Sequence, residues 1–230
     1  MKPKHIAIIM DGNRRWATSN NQTLLKAYEK GLETLNTTIQ DCIKLKINYL
    51  TVFGFSTENW NRSNKEISYL MKLFNKFLDK AILEAEFKEI KIKFIGDLNV
   101  FSKQIIDKTS FLSNLTNKKK KFTLTIAVNY GGQQEILNAV KKYLADYLDK
   151  NIKSLKNVND FEKYLFNFDI PKIDLLIRTG NEKRLSNFML WHLAYTELLF
   201  LNQMWPDFNF NLLNSSINEF VSRKRKFGGM

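Results

Sequence analysis

Short, wholly apolar runs alternate along this chain with longer stretches whose apolar residues recur every three or four positions. Ile6–Met10 is apolar throughout, which suits a strand buried on both faces of a parallel sheet. Tyr28, Leu32, Leu35, Ile39, Cys42 and Ile43 mark one face of a helix. Ile47–Phe55, rich in β-branched and aromatic residues, reads as a second strand. Ser63 with Glu66 three residues later predicts a capping box. The helix it opens has a wide apolar face running from Ile67 through Leu70, Phe74, Phe77 and Leu78 to Ile82. Glu89–Ile95 alternates apolar and charged residues and predicts a strand with one exposed face. A helix follows around Phe101–Leu115, a solvated loop at Lys118–Lys121 and a strand at Phe122–Val128. Gln133–Leu148 predicts a helix with Ile136, Leu137, Val140, Tyr143, Leu144 and Tyr147 on one side. Residues 149–160 read as a surface loop, Phe161–Phe168 as a short helix closed by Pro171, and Asp174–Ile177 as a strand. Glu197 stands just before a further apolar run, Leu198–Leu201. A helix near Ser215–Arg225 precedes a basic, flexible tail over residues 226–230.

Strands alternating with helices predict a single α/β domain, a central parallel sheet flanked by helices. At 230 residues and 44% hydrophobic, the chain can bury one good core, and no repeat or composition break marks a second domain. Ligands of such sheets bind beyond the carboxyl ends of the strands. Four strands end in polar clusters: Asp11-Gly12-Asn13, Ser56-Thr57-Glu58-Asn59-Trp60-Asn61-Arg62, Asn129-Tyr130-Gly131-Gly132 and Arg178-Thr179-Gly180-Asn181. Gly12 permits a tight turn, and Asn13 is placed to cap the next helix. The fold would gather Asp11, Glu58 and Glu197 as acids with Arg14, Arg15, Arg62, Arg178 and Arg184 as cations. Asn13, Ser56, Asn59 and Ser186 would join them as neutral polar groups. Several guanidiniums with few carboxylates suit a diphosphate bound with Mg²⁺.

The net charge of +13 favours polyanions: nucleic acid, anionic lipid or phosphorylated substrates. No RNP-type or helix-turn-helix signature supports nucleic acid, and no GxGxxG or GxxxxGK[ST] supports dinucleotide or P-loop chemistry. Cys42 is the only cysteine, so there is no disulfide and no cysteine-based zinc site. His5 and His192 are too far apart in sequence for a histidine-rich metal centre. Met1 leads almost directly into the first strand, and no apolar run approaches the roughly 20 residues of a membrane span. The expectation is a cytoplasmic protein, peripheral at a membrane at most.

The blocks HIAIIMDGNRRWA, FSTENWNR, AVNYGG, IRTGNEKRLSNFMLW and AYTEL, in this order, resemble the cis-prenyltransferase family, most closely its bacterial undecaprenyl diphosphate synthases. The resemblance runs from His5 to Gly229, and the DDxxD signature of the helical trans-prenyl synthases is absent. It implies a single domain with a hydrophobic tunnel, a homodimer and dependence on Mg²⁺. It implies repeated condensation of isopentenyl diphosphate onto an allylic diphosphate such as farnesyl diphosphate, with new Z double bonds. The implied product is an undecaprenyl carrier for cell-wall synthesis, with other chain lengths left open. Transient membrane contact would release it.

By the same resemblance, Asp11 holds Mg²⁺ and handles the diphosphates, with Glu197 as second metal ligand. Gly12, Asn13 and Arg15 match the allylic diphosphate site and Trp16 a substrate-contacting aromatic. Ser56, Thr57, Glu58, Asn59, Trp60 and Arg62 form the loop over the reaction centre, where Asn59 serves proton removal. Arg178, Arg184, Leu185 and Ser186 belong to the isopentenyl diphosphate site, and Phe227-Gly228 matches a tail reaching the partner subunit. The chain departs from the family pattern at Arg14 (usually glycine), Leu24 (arginine), Tyr28 (histidine) and Lys183 (histidine). Arg14 is expected to bind substrate in place of the cation missing at Leu24. The helix Ile67–Ile82 is expected to wall the tunnel.

Overall fold

A computed structural model of the chain describes residues 1–149, 154–166, 169 and 171–223. The strands are β1 (His5–Ile9), β2 (Tyr49–Ser56), β3 (Ile90–Ile95), β4 (Phe122–Tyr130), β5 (Leu175–Arg178) and β6 (Glu197–Phe200). They form one six-stranded sheet in the order β3-β4-β2-β1-β5-β6, with every pairing parallel. The helices are α1 (Asn13–Ser19), α2 (Leu24–Lys44), α3 (Asn64–Glu84), α4 (Lys103–Thr116), α5 (Gly132–Leu148), α6 (Val158–Glu162) and α7 (Phe210–Ser222). β1 and β4 are buried along their whole length, as strands covered on both faces must be.

Two cores lie on opposite faces of the sheet. The larger joins Ile6, Ile8, Val52, Leu124 and Ile177 to α2, α3, α4 and α7. The smaller packs Ala7, Ile9, Ala127 and Leu176 under Phe188, Met189 and Leu193. Among the described residues no helix is long and apolar enough to cross a membrane.

Several local features differ from the sequence reading. The N-cap of α1 is Gly12, in the left-handed region at φ 110°, with no side-chain cap. Asn13 is already helical, and its amide donates back to the Met10 carbonyl at 3.3 Å. Ser63 does cap α3 by accepting from Glu66 N–H at 3.3 Å, but the Glu66 carboxylate turns away to other partners. A complete capping box occurs instead at Ser56 and Asn59. α6 starts earlier than the expected helix, its Asn157 cap accepting from Asp160 N–H, and Phe168 lies outside the described residues. α7 begins at Phe210, and the 226–230 tail also lies outside the described residues. On α5 the apolar side does not face the core: Leu137, Val140, Leu144 and Tyr147 are exposed, while Glu135 and Ala139 are buried.

His5 begins β1 and is 1% exposed, its ring nitrogens 2.8 Å from the Pro171 carbonyl and 2.8 Å from Thr51 Oγ1. Burial pushes its imidazole down to about 4, against a smaller upward pull from the Pro171 carbonyl. The unfolded chain therefore takes up a proton near pH 6.5, and the folded chain does so only near pH 4. Stability from neutral His5 is complete above pH 6.5 and is lost as pH falls toward 4, by on the order of 3 kcal/mol. Urea unfolding midpoints across that window should fall for the wild type, and His5→Gln should remove this component of the slope. An equal slope in both proteins would assign it to other groups.

Candidate active site

The four polar clusters follow β4, β2, β1 and β5, which are consecutive strands of the sheet. Their carboxyl ends align in register, Ser56 against Tyr130 and Ile9 against Arg178. Asp11 sits just past β1, and its backbone is fixed from both sides. Its N–H donates to Thr179 Oγ1 at 3.0 Å, while its carbonyl accepts from Thr179 at 2.7 Å and from Trp205 N–H at 2.9 Å. A Cβ on Gly12 would lie 2.7 Å from Met204 Sδ, so this turn needs glycine for space as well as for its positive φ.

The Asp11 carboxylate spans two guanidiniums. Oδ2 accepts from Arg178 Nη2 at 2.8 Å, and Oδ1 accepts from Arg15 Nη2 at 3.2 Å. Arg178 is 3% exposed and also donates through Nη1 to Ser186 Oγ at 2.8 Å and to the Arg184 carbonyl. Its Nε is buried and has no partner among the described residues. Glu182 joins the far side, accepting from Arg15 Nη1 at 3.1 Å and from Arg184. Glu182 was not singled out from the sequence; its place between Asn181 and Lys183-Arg184 was the available signal.

The loop after β2 forms the opposite lip. A register shift between Phe53 and Phe55 inserts Gly54 as an extra residue. Phe53 therefore packs with the smaller core and Phe55 with the larger, although residues two apart in a strand normally share a face. The turn that follows carries Asn59, whose Oδ1 accepts from Ser56 N–H at 3.1 Å. Trp60 packs edge-on to Phe55 and donates to Asn129 Oδ1 at 2.8 Å. Glu58 accepts from Asn187 Nδ2 at 3.0 Å. Burial works to raise the Glu58 carboxyl, but this bond and those from its own turn hold it below the ordinary range.

A cavity of about 320 Å³ opens between these lips and runs under α2 and α3. Its mouth is polar, formed by Asp11, Asn13, Ser56, Asn59, Arg62, Arg178 and Ser186. Its interior is apolar, lined by Leu32 and Leu35 from α2, Leu70, Leu73, Phe74 and Phe77 from α3, and Val52 and Ile126 from the sheet. A smaller cavity of about 40 Å³ lies beyond it under the end of α3, and Phe77 borders both. The buried Asn13 Oδ1 beside the mouth has no partner among the described residues.

Other expected residues lie beside the cavity or away from it. Arg14 is bound to Glu66 Oε2 at 2.6 Å and does not line the cavity. Glu66 also accepts from Tyr28 at 2.6 Å and from Arg62 at 2.7 Å, so the Tyr28 hydroxyl occupies the centre of this network. Burial alone would raise the Glu66 carboxyl; these donors outweigh it and keep the group ionised. Trp16 is buried behind the site and donates to Asp207 at 2.8 Å. Thr57 and Leu185 do not line the cavity.

Glu197 does not meet Asp11 within one chain. It opens β6 opposite Leu175, at the amino end of the strands, whereas Arg178 and Asp11 stand at the carboxyl end. There it accepts from Arg223 at 2.9 Å. Among the described residues, no three acidic, histidine or cysteine side chains form a ready-made metal cage.

One carboxylate between two guanidiniums, at the mouth of an apolar cavity, is the geometry to set beside known proteins. The family model described as "Putative undecaprenyl diphosphate synthase" matches residues 9–228. The chain belongs to this family of prenyl transferases. An isoprenyl transferase of Neisseria meningitidis is 40% identical over 98% of this chain and 89% of its own. A ditrans,polycis-undecaprenyl-diphosphate synthase, farnesyl-diphosphate specific, of Haemophilus influenzae is 40% identical over 99% of this chain and 95% of its own. Lavandulyl diphosphate synthase from Lavandula x intermedia, solved with dimethylallyl diphosphate, superposes with a TM-score of 0.93 at 32% identity over 99% of both chains. A probable undecaprenyl diphosphate synthase from Campylobacter jejuni gives 0.83 at 30% identity over 100% of both chains. Membership in this family makes the chain an enzyme that transfers prenyl groups.

Proposed function

We propose that this prenyl transferase condenses isopentenyl diphosphate repeatedly onto farnesyl diphosphate or a similar allylic diphosphate, releasing a Z-polyprenyl diphosphate of undecaprenyl length for the cell-wall lipid carrier. The observation that carries this reading is Asp11, held between Arg15 and Arg178 at the mouth of a cavity with apolar walls. Diphosphates would exchange for the Asp11 and Glu182 oxygens on these guanidiniums, which suit multidentate oxyanions. The prenyl tail of the allylic substrate would lie inward along Leu70, Phe74 and Phe77.

In each cycle the C1–O bond to the allylic diphosphate breaks, and its electrons leave with the diphosphate. The isopentenyl double bond supplies the electrons of the new C–C bond, and a proton is lost from the isopentenyl C2. Arg15 neutralises the leaving charge, Arg178 holds the isopentenyl diphosphate beside it, and apolar walls keep water from the carbocationic centre. Asn59 is a positioning group in this scheme. Its Oδ1 is already engaged by Ser56 N–H, which leaves Nδ2 to orient the diphosphate that accepts the proton.

The rim also fits Mg²⁺. This ion binds through one or two carboxylates together with substrate phosphates and waters, so a single carboxylate in a phosphate site suffices. Asp11 would hold it, and when bound it would add further neutralisation of the leaving diphosphate. Glu197 would contribute only by way of a second subunit. The exposed apolar stripe of Leu137, Val140, Leu144 and Tyr147 on α5 supports a homodimer.

Product length should depend on the side chain between the two cavities. Each added isoprene buries about 3–4 kcal/mol of apolar surface, so the chain grows while there is room. Phe77→Ala should merge the cavities and move the product distribution up by at least one isoprene unit, read by chromatography. An unchanged distribution would remove Phe77 from length control.

The test of the reaction itself uses radiolabelled isopentenyl diphosphate with farnesyl diphosphate, with and without Mg²⁺, and products sized after extraction. Mg²⁺-dependent incorporation into a long prenyl diphosphate is expected. A single condensation, or none, would contradict the reading.

A further inference from the structure

At the end of α3 and along α4 the chain exposes large apolar residues that the prenyl transfer site does not use. Leu83 and Phe87 are 77% and 86% exposed, and Phe111 and Leu115 are 55% and 39% exposed. Cross-links between the two segments place these four on one face. Lys108 donates to Asn75 at 2.8 Å and pairs with Asp79, and Lys119 reaches the Glu86 carbonyl at 3.5 Å and Glu89 at 3.1 Å. Phe111 and Leu115 lie between those lysines on one strand of contacts, and Leu83 and Phe87 lie between those acceptors on the other.

The charges around this face are unequal. Asp79, Glu84 and Glu89 each have a lysine partner, in Lys108, Lys80 with Lys88, and Lys119, while the exposed Glu86 carboxylate beside Phe87 pairs with no cation among the described residues. Lys118, Lys120 and Lys121 are exposed, and among the described residues none has a carboxylate partner. The face is therefore apolar at its centre, and the unpaired lysines beside it outnumber the one unpaired carboxylate, Glu86, three to one. The helices run antiparallel to the strands they connect, so this is the end of the molecule away from Asp11. The smaller cavity, bordered by Lys80, Ala81, Glu84 and Lys88, lies directly beneath.

We propose that this α3–α4 face docks on an anionic lipid bilayer. Apolar side chains would enter the acyl boundary while the lysines meet lipid phosphates, as peripheral membrane surfaces do. The site rests on the reading of the product as a long polyprenyl diphosphate, which grows at its diphosphate end at the Asp11 rim while its distal hydrocarbon end is pushed past Phe77 toward this end of the molecule. Docking here would give that end a short route into lipid.

The test is co-sedimentation of the full chain, without substrate, with phosphatidylcholine vesicles and with vesicles in which part of the lipid is phosphatidylglycerol. Three proteins are compared: wild type, Leu83→Ser with Phe87→Ser, and Lys118→Ala with Lys120→Ala and Lys121→Ala. Wild type should bind the anionic vesicles, and more weakly as salt rises. The apolar pair of substitutions should cut binding at least about tenfold, and the lysine triple should cut it by about fivefold per lysine at low salt. Wild type that ignores anionic lipid, or variants that bind like wild type, would overturn the proposal. So would a change in sedimentation velocity showing that the apolar pair had broken contact with a second copy. Prenyl transfer in detergent is measured alongside and should be unchanged in both variants. Vesicle binding without any prenyl transfer would instead defeat the enzymatic reading and leave the docking surface standing.

Discussion

Replacing Asp11 by Asn should leave a folded protein whose kcat for isopentenyl transfer is lower by roughly 10³-fold. The amide has the same shape and keeps an acceptor for the buried Arg178 Nη2, which would otherwise lose its partner at this position. It lacks the negative charge that divides Arg15 from Arg178 and that would hold Mg²⁺. Loss of the Mg²⁺ holder and relief of the guanidiniums from their competing carboxylate act in opposite directions on diphosphate binding, so the substrate KM values should stay level. Loss of kcat without a rise in KM marks an interaction made only in the transition state. Steady-state kinetics with a melting curve measure both. A variant within tenfold of wild-type kcat would show that the carboxylate only fixes the arginines.

Arg178→Lys should act the other way, raising the KM for isopentenyl diphosphate by about 100-fold and lowering Tm. Arg178 uses both terminal nitrogens of its planar fork, Nη2 on Asp11 and Nη1 on Ser186 Oγ and the Arg184 carbonyl. A lysine keeps the charge and loses the fork, which is no conservative exchange at such a site. The segment it holds is conformationally demanding: Ser186, Asn187 and Met189 have φ of 48°, 62° and 48°. Those residues stay in the left-handed region only while their surroundings enforce it. Loss of two charge-assisted bonds costs about 3 kcal/mol, which corresponds to the expected KM change. An unchanged KM in Arg178→Lys would move the isopentenyl site away from this arginine.

The sheet and its active edge were legible because apolar runs followed by polar clusters report the carboxyl ends of parallel strands. Those clusters proved to be neighbours, β4-β2-β1-β5, although nothing in the sequence fixes that order. Glu197 was misplaced for the same reason reversed. An acid that precedes an apolar run stands at the amino end of its strand, and Glu197 precedes Leu198–Leu201. The α5 stripe shows a different limit: helical period reveals which face is apolar, not whether the sheet or another chain covers it. Ser63 and Glu66 had the spacing of a capping box, yet Glu66 was drawn off by Tyr28, Arg62 and Arg14. Spacing cannot register partners contributed by distant segments. Arg14 consequently binds Glu66, and the structure lends no support to its standing in for a cation at Leu24.

The central claim is that one chain joins a diphosphate rim to an apolar channel under α2 and α3. A crystal structure with farnesyl thiolodiphosphate, which resists ionisation at its C–S bond, tests that claim most directly. The expected result puts the diphosphate within hydrogen-bond distance of Arg15 at the Asp11 rim, with the farnesyl tail along Leu70, Phe74 and Phe77. A tail lying outside this channel, or a diphosphate bound at another edge of the sheet, would contradict it.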